Sequence, residues 1–239
     1  MSRTNEVGPV DDAPSVARPH RPGSLRVTYA LAILAFVAGV AAGPLLPWGD
    51  STPGEESVEA GFARDMQEHH QQAISMSYVA MQAATDPEVR TIALDVLGTQ
   101  TAQAGQMSGW LAEWRLGTNG SLPRMAWMRG VHHGAARSSS GGHQLQPDGR
   151  MPGMATPEQM RALSAARGVQ VDRTYLNLLI THHRGGIPMA VEAAARTDRD
   201  SVGALARSIE LSQNAELATL SDALVRLGGR PPPVSDVNG

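Results

Sequence analysis

Two histidine pairs carry the chemistry that this sequence can offer. His69-His70 lies between Met66 and Met76, and the pattern recurs 113 residues later as His182-His183 followed by Met189. The register holds without a gap: Ile74 falls on Ile187, Ala80 on Ala193, Val89 on Val202, Gln100 on Gln213 and Leu111 on Leu224. Self-similarity at a fixed offset marks a duplicated structural unit. Imidazole and thioether together, with no cysteine in the chain, make a donor set for copper. Thioether sulfur is soft and selects Cu(I), and imidazole serves either oxidation state. Zinc fits less well without thiolates or a His/carboxylate set. A di-iron centre would need two Glu-x-x-His pairs, whereas here Glu68 directly precedes His69. The metal-free alternative is a buried network in which the histidines bond to polar neighbours.

Further polar groups fall at matched positions. Gln100, Gln103 and Met107 share one stripe, and Gln213, Glu216 and Leu220 share the equivalent one. They are candidates for positioning the metal-binding groups. Between the repeats, Met125, Met128, His132, His133, His143, Met151 and Met154 make a Met/His-rich stretch. It is either a copper-collecting loop or a linker with incidental methionines. Met81 and Met160 are read as packing residues.

These groups need helices to hold them. Val58, Phe62, Met66, His69, Ala73, Met76 and Ala80 recur at steps of three and four, which predicts an amphipathic helix. His69 belongs to its inner stripe, and His70 lies about 100° further round, toward the edge, as His183 does beside His182 in the repeat. Asp86-Pro87-Glu88 predicts a helix start, and the next helix runs through Val89, Ala93, Gln100 and Leu111 toward Gly117. Thr156-Pro-Glu-Gln159 opens a short helix. Two more follow, over about residues 169–196 and from Asp198 or Asp200 to Gly228. Gly185, Gly186 and Pro188 predict a kink beside the second histidine pair. Two hairpins, 57–116 and 169–228, joined by a crossover over 117–168, bury their apolar stripes most simply against each other. The expected fold is all-α, a four-helix bundle at 57–228, with a tail at 229–239.

Residues 1–26 carry several Pro and Gly without apolar periodicity and are expected to be a disordered tail. Residues 27–46 contain no charge, and about 20 helical residues cross a bilayer core. Arg18, Arg21 and Arg26 precede them; Asp50, Glu55, Glu56 and Glu59 follow. The positive-inside rule places the N-terminus in the cytoplasm and the bundle outside, on a single-pass anchor in the lipid bilayer. A cleaved leader is the alternative.

Composition narrows the function further. The net charge of −3 over 239 residues offers no broad basic face for nucleic acid. All 20 basic residues are arginine, a compositional bias. No Ser-His-Asp or Cys-His arrangement, carboxylate pair or phosphate-binding glycine loop is evident, so an enzyme is not expected.

The Met-x-x-His-His-x-x-Ala-x-x-Met segment at Met66–Met76, Gln100 and Met107, Met151-Pro-Gly-Met154, His182-His183 with Met189, and Gln213 with Glu216 resemble the bacterial extracytoplasmic family named domain of unknown function 305. The resemblance covers about residues 57–228. It implies a ferritin-like bundle and, since some members bind copper, a role in copper handling with Cu(I) favoured. Candidate ligands are then Met66, His69, His70, Met76, His182, His183 and Met189. Gln103 stands where the family has Glu, Gly186 where it has Ala, and Leu179 and Leu220 where it has Met. The site of the second half is therefore expected to be weaker or absent.

Overall fold

Ser57 starts the first helix: its hydroxyl accepts from the Ala60 amide at 3.1 Å, filling one of the donors a helix leaves unpaired at its N-terminus. The computed structural model describes residues 52–129 and 145–233, all within the compact unit Thr52–Gly239. Among them are five α-helices, one 3-10 turn at Ala126–Met128, and no strand. Helix α1 spans Val58–Ala83 and α2 Pro87–Glu113. The short α3 spans Pro157–Ala165, α4 Val169–Arg196 and α5 Asp200–Arg226. Asp86 caps α2 through the amides of Glu88 and Val89, with Pro87 in the first turn. Thr156 and Gln159 form a reciprocal capping box on α3.

Each long pair forms a hairpin, α1 with α2 and α4 with α5, and the hairpins join chiefly where α1 packs against α4. Helices α2 and α5 meet only lightly. The apolar interior shows how the halves run. Phe62, Met66, Met107 and Leu111 cluster with Met189, Ala193, Val202 and Ala206. Met76, Ala80 and Val89 cluster with Tyr175, Leu179, Leu220 and Leu224. The start of α1 therefore lies beside the end of α4, so the repeats are antiparallel at their interface. These are called below the Met66 end and the Tyr175 end.

Two acids fasten the hairpins to each other's turns. Buried Asp172 in α4 accepts from the Thr85 amide at 3.0 Å and its hydroxyl at 2.5 Å. Its counterpart in the repeat, Glu59 in α1, accepts from the Thr197 hydroxyl at 2.6 Å.

The all-helical, two-hairpin organisation expected from the repeat is present. The segments at 1–26 and 27–46 and the end of the tail lie outside the described residues, as do His132, His133 and His143. No described helix is long and apolar enough to cross a membrane. Helix α4 runs through Gly185, Gly186 and Pro188 as one α-helix. What the glycines supply is closeness. A Cβ on Gly185 would lie 2.1 Å from the Pro152 carbonyl oxygen, so only a bare backbone lets the crossover chain lie against α4 here.

Gly185→Ala is expected to lose about 1–3 kcal/mol in urea denaturation. Gly98→Ala, whose added Cβ meets nothing within 4 Å, should gain about 0.5–1 kcal/mol in mid-helix. Similar midpoints for the two variants would contradict the close contact.

Candidate metal centre

The 3.6-residue period decides what the two histidines of each pair face. Helix α1 is flanked by α2 and α4, so two of its faces are covered. His69 faces α4, where its ring stacks on that of His182 with centroids 3.8 Å apart and planes tilted by 36°. His70, about 100° round the helix, faces α2 and bonds Gln103 Oε1 at 2.8 Å through Nε2. The repeat reproduces this: His183 Nε2 meets Glu216 Oε2 at 2.5 Å. The sequence placed His70 and His183 at the edge of the stripe. Both are instead fully buried, like His69 and His182, because α2 and α5 cover the second face.

The remaining two Nε2 atoms meet backbone. His182 Nε2 donates to the His69 carbonyl at 3.0 Å. His69 Nε2 donates to the Pro152 carbonyl at 3.1 Å, breaking the symmetry of the halves. Carbonyl and carboxylate oxygens only accept, and Gln103 presents its oxygen, so each ring carries its proton on Nε2. Each Nδ1 then holds a lone pair. All four Nδ1 atoms are buried without a hydrogen-bond partner, as are Gln100 Oε1 and both polar atoms of the Gln213 amide.

An unsatisfied buried polar atom costs about 1–3 kcal/mol. These seven atoms together approach the whole stability of a domain, about 5–15 kcal/mol. Four imidazoles fixed through one nitrogen, with the other free, fit a metal: ligating histidines are oriented by a hydrogen bond from their second nitrogen. Among the described residues no three His, Asp or Glu side chains form a ready chelate. The donors at hand are imidazoles and thioethers.

Met66, Met107 and Met189 are fully buried in the cluster at the Met66 end, and Met76 is fully buried in the other. Gln100, Gln103 and Gln213 are buried, while the Glu216 side chain is 31% exposed. Of the crossover methionines, Met125, Met128 and Met151 are buried in the cluster at the Met66 end, with Met154 partly buried against it. The sequence expected thioethers to be fewer in the second half. Antiparallel packing also sorts them by end, since Met189 of the second half joins Met66 and Met107 of the first.

Gly186 replaces the alanine of the repeat for a steric reason: a Cβ there would lie 2.9 Å from Gln213 Oε1 and 3.0 Å from His69 Cε1. Gly153, at φ +76°, brings the crossover chain over α4; its added Cβ would fall 2.5 Å from the Thr181 carbonyl oxygen. Gln72 holds this chain by a reciprocal pair with Ala155, at 3.0 and 2.6 Å. Gln146 Nε2 donates to the Met151 carbonyl at 3.1 Å, and Arg150 donates to the Met154 carbonyl.

Sequence reasoning missed Gln72, Gln146 and Arg150, and also Asp65. The buried Asp65 carboxylate accepts from the Met125 amide and from Trp127 Nε1, both at 2.7 Å, and so docks the other part of the crossover on α1. Burial nonetheless raises its pKa, the hydrogen bonds opposing the shift. The available signal was an acid four residues before His69, on a stripe otherwise made of core residues.

With this geometry in place, the class is clear: an all-helical domain of two duplicated hairpins with a histidine layer at their interface. The family described as Domain of unknown function (DUF305) matches residues 59–224, and the chain belongs to it. A Streptomyces coelicolor member, named for presumed secretion, is 37% identical over 75% of this chain and 99% of its own, with a TM-score of 0.65. A Deinococcus radiodurans fragment of the family is 27% identical over 74% and 99%, with a TM-score of 0.57. The protein CopM in its Cu(II)-bound form is 25% identical over 71% and 97%, with a TM-score of 0.51. In its Cu(I)-bound form the identity is 22%, over 72% and 99%, and the TM-score 0.53. No curated protein matches the chain.

Burial favours the neutral form of three rings: it lowers the His69 pKa to about 4 and the His70 pKa to about 3, and takes His182 well below its ordinary value. An unfolded chain protonates these rings near 6.5, so between about pH 4 and 6.5 it binds more protons than the fold does. Stability should then rise with pH through that window and level off above it. The denaturation midpoint of the metal-free chain is expected to fall as pH drops from 7.5 to 4.5, and to fall less in His69→Gln/His182→Gln. An equal dependence in both would remove the histidines as its cause.

Proposed function

We propose that this chain is a copper-binding protein, anchored by residues 27–46 with its helical domain outside the cytoplasmic membrane, that sequesters copper or passes it on. One observation carries the reading: four buried imidazoles, each held through Nε2 and each with an unpartnered Nδ1. Met66 and Met189, buried together in the cluster at the Met66 end, supply thioethers. His69, His70, His182 and His183 are the imidazole ligands, with Gln103 and Glu216 orienting His70 and His183. Bound copper would supply the positive charge that these lone pairs lack. CopM, which shares the fold, has structures in Cu(I)-bound, Cu(II)-bound, silver-bound and apo forms, and this supports copper as the cargo. No catalytic step is assigned.

A second reading rests on the same hydrogen bonds. Every Nε2 is partnered by protein alone, so the histidines can be a structural network with no metal. Titration of the purified full chain with Cu(I) and Cu(II), against His69→Ala/His182→Ala, separates the two. The copper reading expects a loss of affinity greater than the about 10–100-fold typical of an outer partner. Equal affinities, with the variant merely less stable whether or not copper is present, would leave only the network.

The anchor rests on the uncharged run at 27–46 with arginines before it and acids after it. The full chain should remain with membranes after alkaline extraction, and a chain lacking residues 1–50 should be released. Release of the full chain would replace the anchor with a cleaved leader.

A further inference from the structure

We propose that the two ends of the histidine layer are not equivalent, and that the chain holds a single soft monovalent ion, at the Met66 end. The inference rests on the copper reading above and specifies which half of the duplicated site does the binding.

The repeat pairs four positions across the interface, and their chemistry diverges. His70 matches His183, but its partner Gln103 becomes Glu216; Met66 becomes Leu179, and Met107 becomes Leu220. Because the halves are antiparallel, the fifth position crosses over: Met189 of α4 joins the Met66 end, and its counterpart Met76 of α1 joins the other. The Met66 end thus gathers thioethers from three helices, on Met66, Met107 and Met189, each fully buried. Met66 lies one turn from His70 on α1, and Met107 one turn from Gln103 on α2. These spacings place each pair on one face of its helix. The hydrogen bond between His70 and Gln103, 2.8 Å long, ties the two faces together. Gln103 does so without adding charge.

The Tyr175 end is built differently. Leu179 and Leu220 offer no donor atom, which leaves Met76 as the thioether among the paired positions. The Phe62 and Ala190 of the other end are replaced by Tyr175 and Ser77, whose hydroxyls bond each other at 2.9 Å. His183 is held there by the Glu216 carboxylate. Cu(I) and Ag(I) are soft and favour sulfur donors, while carboxylate and hydroxyl oxygens suit harder cations. Among the paired positions, one end therefore offers three thioethers and an imidazole to a soft ion, and the other offers one thioether among oxygen groups; Met125, Met128 and Met151 add further sulfur to the first. The sequence by itself, with Leu179 and Leu220 in the second half, leaves open a second, weaker ion. The packed structure reduces the number to one.

Ag(I), which needs no reductant, is the probe. Titration of the purified full chain, with stoichiometry read by native mass spectrometry, should show one tightly held Ag(I). Met66→Leu/Met107→Leu/Met189→Leu should abolish it, and Met76→Leu should leave its affinity within about twofold. These swaps nearly conserve volume and are well tolerated in cores; circular dichroism checks that each variant folds. Leu179→Met/Leu220→Met supplies the converse test, with a second Ag(I) expected, and stands even if the triple variant does not fold. Two equally tight ions in the natural chain, or equal losses in Met76→Leu and the triple variant, would overturn the inference while leaving copper binding intact. Failure of the natural chain to bind Ag(I), Cu(I) or Cu(II) would remove the copper reading itself.

Discussion

The stacked rings of His69 and His182, 3.8 Å apart, set the terms for the rest of the molecule. Two imidazoles can approach so closely inside a protein only if they are not both charged, because like charges at this distance in a poorly solvated interior repel strongly. The surroundings enforce neutrality. Each ring gives its Nε2 proton to a backbone oxygen, and burial depresses its basicity. The outer rings of His70 and His183 repeat the arrangement with side-chain acceptors. The result is a polar layer across the middle of a mostly aliphatic interior, which separates the apolar side chains into two clusters. Such a layer fixes register, since sliding α1 along α4 by one turn would strand these nitrogens against methyl groups.

The crossover turns a near-symmetric duplication into two different ends. A perfect two-fold would have His69 bond to α4 as His182 bonds to α1. Instead the Pro152 carbonyl takes the His69 proton, and two glycines, Gly153 and Gly185, bring the crossover chain against the helix. The same segment adds Met151 to the Met66 end, and the Asp65 clamp holds Met125 and Trp127 there. Both long parts of the connection are thus fastened to α1, by Asp65 and by Gln72. The methionines of the crossover form part of the wall of one end.

Under the copper reading proposed above, that construction would separate two requirements of a soft-metal site. The imidazoles are positioned by hydrogen bonds, and so are directional. The thioethers sit in an apolar cluster, where polarizable sulfur packs against irregular surfaces without strict geometry. Rigid nitrogen donors beside adaptable sulfur donors suit an ion whose coordination changes with its oxidation state.

The sequence by itself determined the helices, the duplication and the identity of the groups that matter. Periodicity, caps such as Asp86-Pro87 and Thr156–Gln159, and an ungapped offset of 113 residues are local or nearly local properties, readable along the chain. It also singled out His69, His70, His182 and His183, all four of which the packed hairpins bury. Only the tertiary structure decided that His70 and His183 are buried, because a helix with neighbours on two sides has no edge to its stripe. It also decided that the thioethers divide by end, since the antiparallel direction of the repeats is a property of packing. The roles of Asp65, Gln72 and the Pro152 carbonyl depend on contacts 60 to 83 residues apart along the chain. No local pattern records such a contact, because the partner that gives each residue its meaning arrives only when the chain has folded.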